Sequence, residues 1–376
     1  MSVAEPFYIR VPMAGLYVVC VLGVTQPKSL VLQAQRALVP FNTTWRGALP
    51  GGEIRTYNIV GLEPAEGPAR PLYIFAGGYG DGAGTAGDPT YRFVREMAAR
   101  GFAAAIVEIP GAGYLHNYPN RSDLDAREEV PCRCNGDRGI IAASEITFTY
   151  RGPKDTSGSA LATLCDRARV NCDAGIALHG SSLGALLIGS ASRFARGVTA
   201  ELIWAAGGLS PGSGTCCGVH SGLTTCCEQM AGGVVGGTPL ECMRSTADSP
   251  RRRYVIAAQD YFYGDCNDEW RGNNFPNDCS ADRRGRSPGA VEQCRMISGR
   301  DCGASARSCI DPADGTGYYV PTNGEIGTDD SDSSHEFHMN VSVLNAVFVE
   351  STEPWGLTPS MDWLEEQVLS HSDDAT

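Results

Sequence analysis

Asn171-Cys-Asp-Ala-Gly-Ile-Ala-Leu-His-Gly-Ser-Ser-Leu-Gly-Ala-Leu-Leu-Ile-Gly189 is the stretch whose reading decides the fold. A short apolar run, Ile176 to Leu178, meets Gly180-Ser181-Ser182-Leu183-Gly184, and a small-residue helical pattern from Ala185 to Ala191 follows at once. That order predicts a strand, a tight turn and a helix. Glycines on both sides of the turn remove the side chains that would clash there, so Ser182 is expected in a strained conformation with its hydroxyl projecting from the end of a sheet. Ser181 is off the register of this pattern, and Ser182 is the candidate nucleophile.

Outward from the turn, strands and helices alternate. Upstream, Ile54 to Val60, Pro71 to Phe75 and Phe102 to Ile109 read as strands, the last nearly continuous in apolar residues as expected when helices cover both faces of a sheet. Tyr91 to Arg100 carries Phe93, Val94 and Met97 at helical spacing and stops at Gly101, a residue suited to a helix end. Ser157 to Arg169 is helix-like. Downstream, Val198 to Ala206, Tyr254 to Ala258 and Gly317 to Val320 read as strands, and Thr358-Pro359 as the N-cap and first residue of a closing helix through Leu369. The alternation predicts a mostly parallel, doubly wound α/β sheet.

The elbow and its flanks resemble the α/β-hydrolase family of esterases, lipases and related serine hydrolases, over most of Pro71 to Ser342. The resemblance implies a triad of Ser, Asp or Glu, and His in that chain order. It places the acid just after the strand ending at Ala258, where Asp260 stands, with Asp265 as the alternative. The histidine must then follow Asp260. His371 lies in a polar tail, which leaves His335 and His338, and His335 directly follows the acidic loop Thr328 to Ser334. Oxyanion donors are expected from the N–H of Leu183, after the nucleophile, and of Tyr79, with Gly78 close behind, in the Gly77-Gly-Tyr-Gly-Asp-Gly82 loop. Trp204, at the end of a strand, would wall the substrate pocket or belong to the core, and Tyr261 opens an aromatic trio beside the acid.

Other chemistry is disfavoured by spacing. No lysine follows the glycine loop in Walker spacing, so phosphate binding is not expected. His335-Glu-Phe-His338 is one residue short of a zinc-protease helix, and no EF-hand spacing occurs, so neither a metal nor another cofactor is expected. A net charge of −13 with only a short Arg251-Arg-Arg253 run argues against a nucleic-acid partner. The expected partner is a small-molecule or polymeric ester.

The apolar run Met13 to Val24 has the length of a secretory leader and is too short to span a membrane. Residues 1–25 are therefore expected to be a signal peptide, and 26–376 a single hydrolase domain with cysteine-rich insertions at about 209–250 and 264–316. Of the 15 cysteines, Cys20 falls in the leader, and the remaining fourteen would form seven pairs. Cys132-Arg-Cys134 and the doublets Cys216-Cys217 and Cys226-Cys227 lack zinc spacing, so disulfides and a secreted or periplasmic location are expected. Two other classes fit the same residues: a peptidase or acyltransferase on this triad, and a secreted binding module that keeps the fold without assembling the triad.

Overall fold

The computed structural model describes residues 7–10, 17–20, 37–48, 53–78, 90–110, 135–205, 249–258, 260, 290–327 and 343–373. Two short strands, β1 (Phe7–Arg10) and β2 (Tyr17–Cys20), pair antiparallel as a sheet of their own, so part of the leader-like run is extended backbone. The main sheet contains β3 (Leu38–Ala48), β4 (Ile54–Pro64), β5 (Leu72–Ala76), β6 (Ala103–Val107), β7 (Ile176–Ser181), β8 (Val198–Trp204), β9 (Arg251–Val255), β10 (Ser308–Ile310) and β11 (Gly317–Tyr319). Its nine strands run in the order β10-β11-β9-β8-β7-β5-β6-β4-β3. The six from β11 to β6 are parallel to one another, whereas β4, β3 and β10 add antiparallel edges.

Alternation along the buried strands divides the core in two. Leu72, Ile74 and Ala76 of β5, with Ile176 and Leu178 of β7, face the helices α2 (Asn135–Phe148), α3 (Ala160–Cys165), α4 (Leu183–Ala191) and α5 (Ala290–Ser298). Tyr73 and Phe75 of β5 and Leu202 and Trp204 of β8 face the other way. There they meet α1 (Tyr91–Ala99), the short α6 (Asn323–Ile326), α7 (Val343–Glu350) and α8 (Leu357–Asp373). Strands clad on both faces have no solvent side, which is why β5, β6 and β7 are buried along their whole length without alternation. The mostly parallel sheet covered on both faces is the architecture expected from the sequence.

Three differences from the sequence reading have local causes. Strand β3 comes from a stretch of mixed pattern, because an edge strand is buried only where Trp45 and Gly47 turn inward. The strand read from Tyr254 starts at Arg251, since Arg252 and Arg253 are buried and satisfied within the fold and so do not form a basic surface. The closing helix begins at Leu357, and its first backbone bond runs from Ser360 N–H to Gly356 O, which makes Gly356 the cap and puts Thr358 inside the first turn.

Among the described residues two disulfides, Cys165–Cys172 and Cys302–Cys309, staple short loops beside α3 and β10. Cys294 on α5 is buried in the core and unbonded, so the expected seven pairs are not all formed. Helix α5 packs on β9 and β11, bringing residues 290–298 of the stretch read as a second insertion into the main fold. Among the described residues no helix is long and apolar enough to cross a membrane. Residues 206–248, which hold most of the first insertion, and Cys132 and Cys134 lie outside the described residues.

Candidate active site

Strand β7 delivers the chain to the carboxyl edge of the sheet, and α4 leaves from it after one residue. That residue is Ser182, at φ 50° and ψ −117°, a conformation that side chains other than glycine rarely adopt. The turn is tight enough to exclude a Cβ on either side. A Cβ on Gly180 would lie 2.6 Å from the Ala185 Cα, and one on Gly184 only 2.1 Å from the Ala76 carbonyl oxygen and 2.4 Å from that of Gly77. The glycines thus do what the sequence pattern implied: they let α4 fold back against β7 and let the end of β5 close on its first turn.

Backbone bonds stitch neighbouring strand ends to this elbow. The Ser182 N–H donates to the Trp204 carbonyl at the end of β8 (3.0 Å), and the Ala205 N–H donates to Val255 O of β9 (2.8 Å). Ala205, at φ 49°, is a second strained residue in this row, and sequence reasoning did not single it out because alanine carries no turn signature. Beyond β9, Ala258 N–H donates to Pro321 O and Asp260 N–H to Ala257 O (3.1 Å). Asp260 is 2% exposed. Because β7, β8 and β9 are parallel, Ser182 and Asp260 both follow strand ends on one edge of the sheet, with β8 between them.

Leu183 opens α4, where the first backbone N–H groups have no intrahelical partner. Gly78 is buried just past β5, beside the Gly77 carbonyl that approaches Gly184. Tyr79, Tyr261, Asp265, His335 and His338 lie outside the described residues. Trp204 is fully buried, its ring meeting His179 at 5.4 Å and Phe348 at 5.1 Å between centroids. Of its two readings the core placement is the one found, since an indole with no exposed surface has no open face for a ligand. Among the described residues no group of three or more His, Cys, Asp or Glu is placed to hold a metal ion.

His179, three residues before Ser182, is also fully buried. Its Nδ1 lies 2.8 Å from the Tyr73 hydroxyl, and the rings of Phe75, Phe93 and Trp204 meet it edge-on. The Tyr73 hydroxyl and Nδ1 share one buried hydrogen bond, whereas Nε2 lies between the aromatic rings with no hydrogen-bond partner among the described residues. Burial, reinforced by the nearby Arg92 guanidinium, depresses its pKa from about 6.5 to about 3. The folded state therefore holds a neutral imidazole where the unfolded chain binds a proton. Stability from this site is complete above pH 6.5 and falls as pH drops toward 3, by about 1.4 kcal/mol per pH unit at most. Urea unfolding of wild type and His179→Gln at pH 7 and pH 4.5 checks this. The variant is expected to lose about 2 kcal/mol less than wild type across that interval, and equal losses would remove the assignment.

No protein-family model matches the chain, and no curated protein matches it. Solved structures resemble it loosely. A hyperthermophilic esterase from the archaeon Pyrobaculum calidifontis is 15% identical with a TM-score of 0.31, over 58% of this chain and 66% of its own. One of two fungal esterases from Rhizomucor miehei is 11% identical with a TM-score of 0.39, over 90% and 84%. A prolyl endopeptidase is 12% identical with a TM-score of 0.43, over 88% of this chain and 39% of its own. Likenesses this distant carry no assignment of activity.

Proposed function

We propose that the chain is a serine hydrolase of carboxylic esters, with Ser182 as nucleophile, Asp260 as the triad acid and His335 as the base. The observation that carries this reading is the backbone of Ser182. A non-glycine residue is held at φ 50° between a fully buried strand and a fully buried helix, with both flanking glycines required by contacts under 3 Å. Strain of this kind costs on the order of 1–3 kcal/mol and persists where the surrounding structure over-determines it, as at a nucleophile that must project from its sheet.

In the proposed reaction Ser182 Oγ attacks the acyl carbonyl while His335 takes its proton, and Asp260 holds the imidazole in the required tautomer. The oxyanion is received by the N–H of Leu183 and, by the family resemblance, of Tyr79. His335 returns the proton to the leaving alcohol, and water activated by the same histidine then cleaves the acyl-enzyme. Burial of Asp260 at 2% exposure supports its role, because a carboxylate away from water orients and charges its partner more strongly. The two disulfides support an oxidising compartment, so a secreted or periplasmic enzyme is proposed.

Matched p-nitrophenyl esters and p-nitroanilides of the same acyl groups test the reaction class. Esters are expected to turn over at least about 100-fold faster, with short acyl chains compared against long ones. Anilide cleavage at equal or greater kcat/KM would replace the esterase reading with a peptidase.

A further inference from the structure

Helix α4 is buried along all nine residues, which makes its carboxyl end a problem as much as its amino end. The last carbonyls of a helix have no intrahelical donor, and inside a protein each must find one. Ser190 and Ala191 carbonyls accept from the turn that follows, through the N–H groups of Arg193 and Phe194. The Gly189 carbonyl accepts instead from Arg252 Nη2, which reaches across from β9 at 3.1 Å. The same nitrogen lies 3.1 Å from Ser192 Oγ at the helix cap, and Arg252 Nε donates to Glu201 Oε2 of β8 at 2.5 Å. Side-chain exposure is 3% for Arg252 and 0% for Glu201.

We infer that the Glu201–Arg252 pair is a clamp that positions the nucleophile: it fixes the carboxyl end of α4 to β8 and β9, and so sets where Ser182 and the Leu183 N–H stand relative to Asp260. The inference rests on the reading of Ser182 as nucleophile. At its amino end α4 is held by the approach of Gly184 to the Ala76 and Gly77 carbonyls, and in its middle by Ser144 Oγ, which donates to Leu187 O (2.7 Å). Those contacts fix the helix laterally against β5 and α2. Arg252 ties it to the strand that leads to the acid, five residues after Val255. Burial alone lowers the Arg252 pKa, but the Glu201 carboxylate more than offsets this and holds the guanidinium charged.

A buried pair is weak evidence for stability, because desolvation offsets most of the attraction, and the role put to the test is orientation. The route to Ser182 is position. A misplacement of about 1 Å at a reacting group costs on the order of 100-fold in rate.

The test replaces both charges together, Glu201→Leu with Arg252→Met, so that no lone ion is left buried. Thermal melting, amide hydrogen exchange of residues 187–191 and saturation kinetics of fluorophosphonate labelling at Ser182 are measured on the full chain. The double variant is expected to melt cooperatively and bind the probe with an unchanged dissociation constant. Its maximal labelling rate should fall about 10- to 100-fold, and its α4 amides should exchange about 10-fold faster. A folded double variant with wild-type labelling and exchange overturns the clamp. Should the double variant not fold, Arg252→Lys keeps the cation but loses the fork. It is expected to label about 3- to 10-fold more slowly, and labelling at the wild-type rate overturns the proposal equally. Absence of labelling in the wild type would remove Ser182 as nucleophile, while the exchange data would still decide whether the pair holds the helix.

Discussion

Replacing Ser182 by alanine is expected to lower ester turnover by about 10^4- to 10^6-fold, because without the nucleophile only binding and oxyanion stabilisation remain. The paired variant Ser182→Gly is equally inactive but should be more stable than wild type. Its backbone can occupy φ 50° and ψ −117° without the Cβ penalty, whereas serine cannot. Relief of strain of about 1–3 kcal/mol, less the extra freedom of glycine in the unfolded chain, leaves a gain of about 1 kcal/mol. Denaturant midpoints of the three proteins, read beside their kcat/KM for one ester, make the check. A glycine variant no more stable than the alanine variant would mean that Ser182 is not strained, and residual turnover within 100-fold of wild type would move the nucleophile elsewhere.

Gly184→Ala is expected to be the most disruptive single methyl group in the site. The added carbon would meet carbonyl oxygens of Ala76 and Gly77 at 2.1 and 2.4 Å, and both are backbone atoms of β5 and its exit, with no flexible side chain to move aside. Either α4 or the start of the glycine loop must shift. Overpacking costs typically 1–3 kcal/mol, and the rigid neighbours put this case at about 3 kcal/mol or more. Displacing Leu183 N–H and Gly78 relative to Ser182 should also cut acylation about 100-fold in whatever fraction folds. Gly324→Ala, whose Cβ would meet nothing closer than the Thr322 hydroxyl at 3.9 Å, is the control and should leave the rate unchanged and the stability no lower than wild type, since alanine is favoured over glycine in a helix. Equal behaviour of the two glycines in melting and in labelling rate would show that the approach of β5 to α4 is loose.

The elbow was legible because its chemistry is local. A serine between two glycines, after an apolar run and before a small-residue helix, states its backbone requirement within five residues, and the φ of Ser182 answers it. The family resemblance placed Asp260 just after the strand ending at Ala258, and the structure buries it there. Arg252 and Glu201 were not legible. In a run of three arginines nothing in the sequence says that the middle one turns inward, toward a glutamate some fifty residues away on the adjacent strand. His179 was set aside by chain order as a triad member, and only packing reveals that it is a neutral imidazole among Tyr73, Phe75, Phe93 and Trp204.

By itself, then, the sequence determined the alternation of buried strands and helices, the mostly parallel sheet and the tight glycine-flanked turn at Ser182. These follow from spacing and from the conformational limits of glycine and serine, which act over a few residues. What only the tertiary structure decided is which polar groups are taken inside, and with which partners. The Trp204 indole entered the core, Arg252 and Glu201 closed on the far end of the helix after Ser182, and Cys294 was left buried and unpaired. The physical reason is that burial of a polar group is settled by partners distant in the chain, since each must find its hydrogen bond or opposite charge across the sheet before water can be given up.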